Sequence, residues 1–87
     1  MSRQRSLETI QSAQFVSIGE LVRLTGCRYS TLKFYTEEGL LPYEQAEQNL
    51  TRRFPRERAI ARIAKIQALK TSGCRIDEIK VRLLGDG

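Results

Sequence analysis

Histidine is absent from this 87-residue chain, and cysteine occurs only as Cys27 and Cys74. These shortages exclude a good deal of chemistry. A structural or catalytic zinc ion needs about four protein or water ligands, and two distant cysteines with no CxxC pair and no imidazole cannot supply a thiolate/imidazole set. The commonest general base is missing as well. No Ser/base pair, carboxylate pair or glycine-rich phosphate loop stands out, so the sequence offers no catalytic constellation. Cys27 and Cys74 read instead as small, half-buried apolar side chains. No apolar run is long enough to cross a membrane. The opening MSRQRSLETIQSAQF has two arginines but no apolar block of signal-peptide length. The cytoplasm is the expected compartment. Repeats and low-complexity tracts are also lacking, and the length suits one small domain rather than two.

Positive charge is plentiful. Fifteen Lys and Arg stand against ten acidic residues, giving +5 and a pI near 9.7. This balance favours a polyanionic partner. It is unevenly spread: residues 17–54 hold five basic and five acidic side chains, whereas residues 55–87 hold eight basic and four acidic.

The most informative stretch is 17–42, SIGELVRLTGCRYSTLKFYTEEGLLP. It opens on a capping box, Ser17-Ile18-Gly19-Glu20, in which Ser17 satisfies the Glu20 amide and the Glu20 carboxylate reaches back to the Ser17 amide. Val16 and Leu21 occupy the two positions of a hydrophobic staple. Ile18, Leu21, Val22 and Leu24 give this first helix an apolar side, and Gly26 stops it. A second helix is predicted over 29–38, ended by Gly39 and followed by Leu40-Leu41-Pro42. Helix, short Gly-containing turn, helix is the helix-turn-helix unit, whose second helix lies in the DNA major groove.

Residues 1–14 are polar, with Leu7, Ile10 and Ala13 as apolar points, and read as a flexible arm carrying at most a helical turn over 6–12. Residues 15–87 read as the domain. From 43 to 54 a polar middle, Glu44-Gln45-Ala46-Glu47-Gln48-Asn49, separates two short extended pieces, the pattern of a β-hairpin; directly after a recognition helix, a hairpin is a wing. A third helix is predicted from 55 or 56 to about 72, with Pro55 suited to its start and Ala59, Ile60, Ile63, Ile66 and Leu69 at helical spacing. A fourth, 76–84, packs through Ile76, Ile79 and Leu83. Four helices each followed by Gly is consistent punctuation. The expected fold is mainly α: a winged helix-turn-helix of four helices with a small two-stranded β-hairpin wing.

Val16-Ser17-Ile18-Gly19-Glu20-Leu21, then Leu24-Thr25-Gly26-Cys27, Thr31-Leu32-Lys33-Phe34-Tyr35, Glu38-Gly39-Leu40-Leu41-Pro42 and Arg52-Arg53-Phe54, resemble the DNA-binding domain of MerR-type regulators. The tail Leu69 to Ile79, with Gly73-Cys74-Arg75-Ile76-Asp77-Glu78-Ile79, does so too. Order and spacing together make this specific over roughly 15–84. The resemblance implies a transcriptional regulator that binds double-stranded operator DNA without a cofactor or a metal and performs no catalysis. It places Arg28, Tyr29, Ser30, Lys33 and Tyr35 on the groove-reading helix and Arg52 and Arg53 on the wing. Arg28 and Arg75 replace the Ser or Thr cap usual before the second and fourth helices, a loss worth about 1 kcal/mol. The wing has Asn49-Leu50-Thr51 in place of the usual Asn-Gly-Tyr tip and an acidic first strand with Glu44 and Glu47. The chain ends at Leu83-Leu84-Gly85-Asp86-Gly87, where typical members continue into a dimerising helix. A monomer in solution, with side-by-side association on DNA, is the expectation.

Lys33 and Arg28 are the candidates for base edges, and Tyr29 and Tyr35 for phosphates. For Tyr35 the alternative is a core residue, three positions after Leu32. Phe34 and Phe54 read as packing residues. Arg52 and Arg53 alternate sides of a regular strand, so one faces DNA and the other lies over the domain. Arg58, Arg62 and Lys65 form the solvated face of the third helix, whereas Arg56 at its start is a phosphate candidate, in a place where a backbone amide can also contribute. Two other functions fit the same residues: an excisionase-like or packaging architectural factor of a mobile element, or a protein-binding adaptor using Glu37, Glu38, Glu44 and Glu47.

Overall fold

The computed structural model describes residues 6–45 and 52–85. Five helices and a short two-stranded sheet follow in the order α1 (Leu7–Ser12), β1 (Phe15–Val16), α2 (Ile18–Thr25), α3 (Tyr29–Glu37), β2 (Phe54–Pro55), α4 (Arg56–Thr71) and α5 (Ile76–Leu84). The fold is a mainly helical winged helix-turn-helix.

α1 is the helix in addition to the four expected. Ser6 caps it by accepting from the Thr9 amide at 3.2 Å, and it packs against α2. Its single inward residue, Ile10, is fully buried in the common core. The described part of the segment read as a flexible arm is therefore folded onto the domain. The sparse apolar points looked insufficient for burial, but one Ile on one turn is enough when a neighbouring helix covers it. Arg3 and Arg5 lie outside the described residues.

α2 starts as the sequence dictates. The Glu20 amide donates to Ser17 Oγ at 3.1 Å, and the Ser17 amide donates to the Glu20 carboxylate at 2.9 Å. The staple residues Val16 and Leu21 are both in the core. Gly26 ends the helix at φ 75°, its amide donating to Val22 O. α3 and α4 both end in Schellman pairs. After α3, Gly39 and Leu40 donate to Thr36 O and Tyr35 O; after α4, Gly73 and Cys74 donate to Lys70 O and Leu69 O. The residue after each glycine then turns inward, Leu40 completely and Cys74 partly.

Gly85, the fourth punctuating glycine, stays in the right-handed region at φ −69°. It marks the helix end without using the freedom glycine offers.

The sheet differs from a self-contained hairpin. β1 and β2 pair antiparallel, Phe15 opposite Pro55 and Val16 opposite Phe54. The returning strand of the wing thus joins the segment that leads into α2. Among the described residues the wing closes through the Glu44–Arg53 bridge: the Glu44 amide donates to Arg53 O at 2.7 Å and the Arg53 amide to Glu44 O at 2.8 Å. The expected polar tip, with Glu47 and Asn49-Leu50-Thr51, lies outside the described residues.

One core joins all of this. Ile10, Val16, Leu21, Leu32, Tyr35, Leu40, Leu41, Phe54, Ala59, Ile63, Ile66 and Ile79 are its buried members. Truncating Ile10 removes a filled position under α1. Ile10→Ala is expected to lower stability by about 2–4 kcal/mol, read as an earlier urea midpoint at unchanged slope. A change within ~0.5 kcal/mol would instead mean that α1 is dispensable to the fold.

Candidate nucleic-acid interface

α3 divides cleanly into two sides. Leu32, Tyr35 and Thr36 are buried, and the Thr36 hydroxyl donates to Leu32 O at 2.8 Å within the helix. Tyr29, Ser30, Lys33, Phe34 and Glu37 are exposed. At about 100° per residue these five occupy a contiguous arc of roughly 140°. Polar and basic groups fill the N-terminal half of the arc, and Glu37 sits at its C-terminal end. Arg28 precedes the helix in extended conformation, exposed, and makes no side-chain cap bond. It therefore adds a cation beside the positive end of the helix dipole. Attraction for a polyanion concentrates at the N-terminal half of α3.

Tyr35 belongs to the other side. It is 2% exposed, which leaves its ring no surface for a phosphate. Its hydroxyl accepts from Lys70 Nζ at 3.5 Å, and the same ammonium stands 5.9 Å from the ring centroid. Of the two readings of Tyr35, the packing in the core is the one that the burial of its ring favours. Phe34 is the converse: read as a packing residue, it is 43% exposed. One residue of helical phase separates the two rings, and i+3 from Leu32 wins the core.

The wing arginines both rest on aromatic rings. Arg53 is exposed, with its guanidinium carbon 4.8 Å from the Phe15 centroid. Arg52 is half-buried, 4.9 Å from the Tyr43 centroid, and its Nε is buried without a partner. Stacking fixes a guanidinium plane while leaving its edge able to donate. Of the two, Arg53 has the open position.

Arg56 is anchored inward. Its Nε donates to Ala13 O at 2.7 Å and its amide to Gln14 O at 3.0 Å. The Arg56 amide is thus engaged, and the side chain fastens the start of α4 to the residues before β1. Arg62, read as part of a solvated stripe, donates from Nη1 to Leu40 O at 3.2 Å. Glu38, part of the acidic group considered for a protein partner, accepts from Lys80 Nζ at 2.8 Å. That bond, and the Coulombic pull of the same carboxylate, raise the Lys80 pKa above its ordinary value. A raised folded pKa means the contribution is complete below the unfolded lysine pKa and is lost only as pH climbs through the folded one, so neutral conditions leave the pair intact.

Cys27 and Cys74 are free and half-buried. Cys27 Sγ accepts from Gln67 Nε2 at 3.0 Å. No helix among the described residues is long and apolar enough to cross a membrane.

A helix-turn-helix whose second helix exposes a polar arc behind Arg28, flanked by a wing with an arginine set on an aromatic ring, defines the winged helix-turn-helix class. Residues 16–85 match the family described as MerR HTH family regulatory protein, and the chain belongs to that family, one of DNA-binding transcription regulators rather than enzymes. No curated protein and no solved structure matches it.

The anchoring of Arg56 yields a test. Arg56→Ala is expected to lower stability by about 1–3 kcal/mol, since a charged hydrogen bond to a part-buried carbonyl is lost, while the salt slope of DNA binding stays unchanged. A slope reduced by about 1 with no stability loss would return Arg56 to the phosphates.

Proposed function

We propose that this protein is a sequence-specific regulator of transcription that lays α3 in the DNA major groove and the wing along the flanking backbone. The carrying observation is the exposed arc of α3 together with Arg28. Recognition helices contact base edges mainly through their N-terminal residues, and here that half bears Arg28, Tyr29, Ser30 and Lys33 with no acidic neighbour on the arc before Glu37.

Roles follow from chemistry. Lys33 and Arg28 read base edges, with guanine O6 and N7 as their natural acceptors. Tyr29, 53% exposed, and Ser30 donate hydroxyls to phosphates. Arg53 neutralises backbone charge from the wing, and Arg52 holds the wing's shape on Tyr43. Such a protein works in the cytoplasm, on the nucleoid. α5 places Ile76, Ile79 and Leu83 against its own core, which supports a monomer in free solution, with copies meeting side by side on DNA.

Lys33→Ala and Arg28→Ala are each expected to cost about 1–3 kcal/mol of discrimination. The measurement compares a duplex selected by the protein from a random pool with an unselected duplex. Equal losses on both would move these residues to the backbone, and no loss on either would remove α3 from the groove. Arg53→Ala is expected to weaken binding to all sequences alike and to reduce the slope of log K against log salt by about 1. An unaltered slope would mean that the wing does not touch DNA.

A further inference from the structure

The DNA-facing arc of α3 carries one large apolar side chain, Phe34, whose exposure the reading of base edges does not use. Its ring meets that of Tyr35 at a centroid distance of 6.2 Å and an interplanar angle of 56°. Both rings line a groove of about 530 Å³ between α3 and the turn that joins α4 to α5. Cys74 and Ile76 add apolar surface to the same groove, and Lys70 and Arg75 add two cations. No acidic residue is among its described lining residues. The Glu78 carboxylate, three residues further on, accepts from the Arg75 amide at 2.9 Å. Lys70 is held in place by the Tyr35 hydroxyl and ring, and an ammonium has three donors, so others remain for a ligand.

A volume within ~300–1,000 Å³, mostly apolar lining and a few convergent polar groups are the features of a small-molecule site. The charge pattern selects the ligand class. We propose that this groove binds a small organic acid, a carboxylate or sulfonate on a flat apolar body. The body lies against Phe34, Cys74 and Ile76, and the acid group meets Lys70 and Arg75. Ser30 borders the same groove and stands on the arc assigned to DNA. On that reading of α3, ligand and DNA exclude each other, and an acid metabolite controls the regulator from within its DNA-binding domain.

The test uses the free protein and 1-naphthoate as probe, with uncharged 1-naphthylmethanol as control, followed by two-dimensional amide NMR. Saturable shifts confined to residues 30–35, 70 and 74–76 are expected. Lys70→Gln and Arg75→Gln should each weaken naphthoate about tenfold, the scale of one charge-assisted hydrogen bond, and the alcohol should bind weaker by a similar factor. Cys74→Trp, which fills the groove, should abolish the shifts; Cys74→Ser, which preserves its space, should keep them and guards against a folding failure. Shifts that never saturate, that map elsewhere, or that are equal for acid and alcohol overturn the site. In a second arm, naphthoate is added to the complex with DNA. Release in proportion to groove occupancy supports the switch, and saturation of the groove without release overturns it. If the free protein binds naphthoate as expected but no DNA at all, the site stands and the DNA reading falls.

Discussion

Phe15 opposite Pro55 and Val16 opposite Phe54 form the ladder on which the domain depends. These segments are far apart in the chain, and the helix-turn-helix and the wing both lie in the loop they close. Closing a loop of that length costs entropy that grows only slowly with further residues; the burial of Val16 and Phe54, both almost completely inaccessible, works against that cost. The ladder also sets two helix starts. β1 runs straight into the Ser17 cap of α2, and β2 into the first turn of α4. The distance between α2 and α4 is thereby fixed from their N-terminal ends. Arg56 reinforces the same junction by donating to Ala13 and Gln14, which ties α1's end to it as well.

α3 benefits from this frame because it is a poor helix by itself. It has nine residues, too few to be stable alone in water. Arg28 precedes it and Glu37 ends it, both opposite in sign to what the dipole favours. No side chain caps its start. What holds it is tertiary: Leu32 and Tyr35 in the core, the Leu40 anchor behind its Schellman end, Arg62 bonded to the Leu40 carbonyl, and Lys80 paired with Glu38. A cap at position 28 would stabilise the helix but would remove the cation that the proposed function assigns to DNA. The local sequence is therefore suboptimal at the start of α3, and remote residues supply the compensation.

Which parts of this were legible follows from the range of the interactions. The capping box, the staple, the helix stops at Gly26, Gly39 and Gly73, and the bounds of α3 are set within a few residues, and each can be read directly from neighbouring letters. The partner of the wing strand, the carbonyls that receive Arg56 and Arg62, and the cover over Ile10 are long-range and leave no local trace. Tyr35 and Phe34 mark the boundary case. Both are aromatic, both sit next to the Leu32 stripe, and a single residue of phase decides which is core. The spacing of three from Leu32 pointed to Tyr35, but the likeness to a DNA-contacting family pulled the other way. Lys70, whose place beside Tyr35 only the folded chain reveals, had no signal in the sequence at all.

The basic residues also sort by what restrains them. Arg56 and Arg62 donate to carbonyls, Lys80 to a carboxylate, and Arg52 and Arg53 lie on rings. The net charge of +5 attracts a polyanion from a distance, but it does not set register. Register needs groups whose position is fixed before contact, because an immobilised side chain loses about 0.5–1.5 kcal/mol less on binding than a free one. Arg53, stacked on Phe15, is such a group. Lys33 is a flexible chain on the open arc, and under the proposed function it is ordered only when it meets a base. On the proposed DNA reading, the wing arginine set on its ring contributes strength that is blind to sequence. The net gain from Lys33 is small on most sequences and appears only where an acceptor lies within its reach, which is the condition for selectivity.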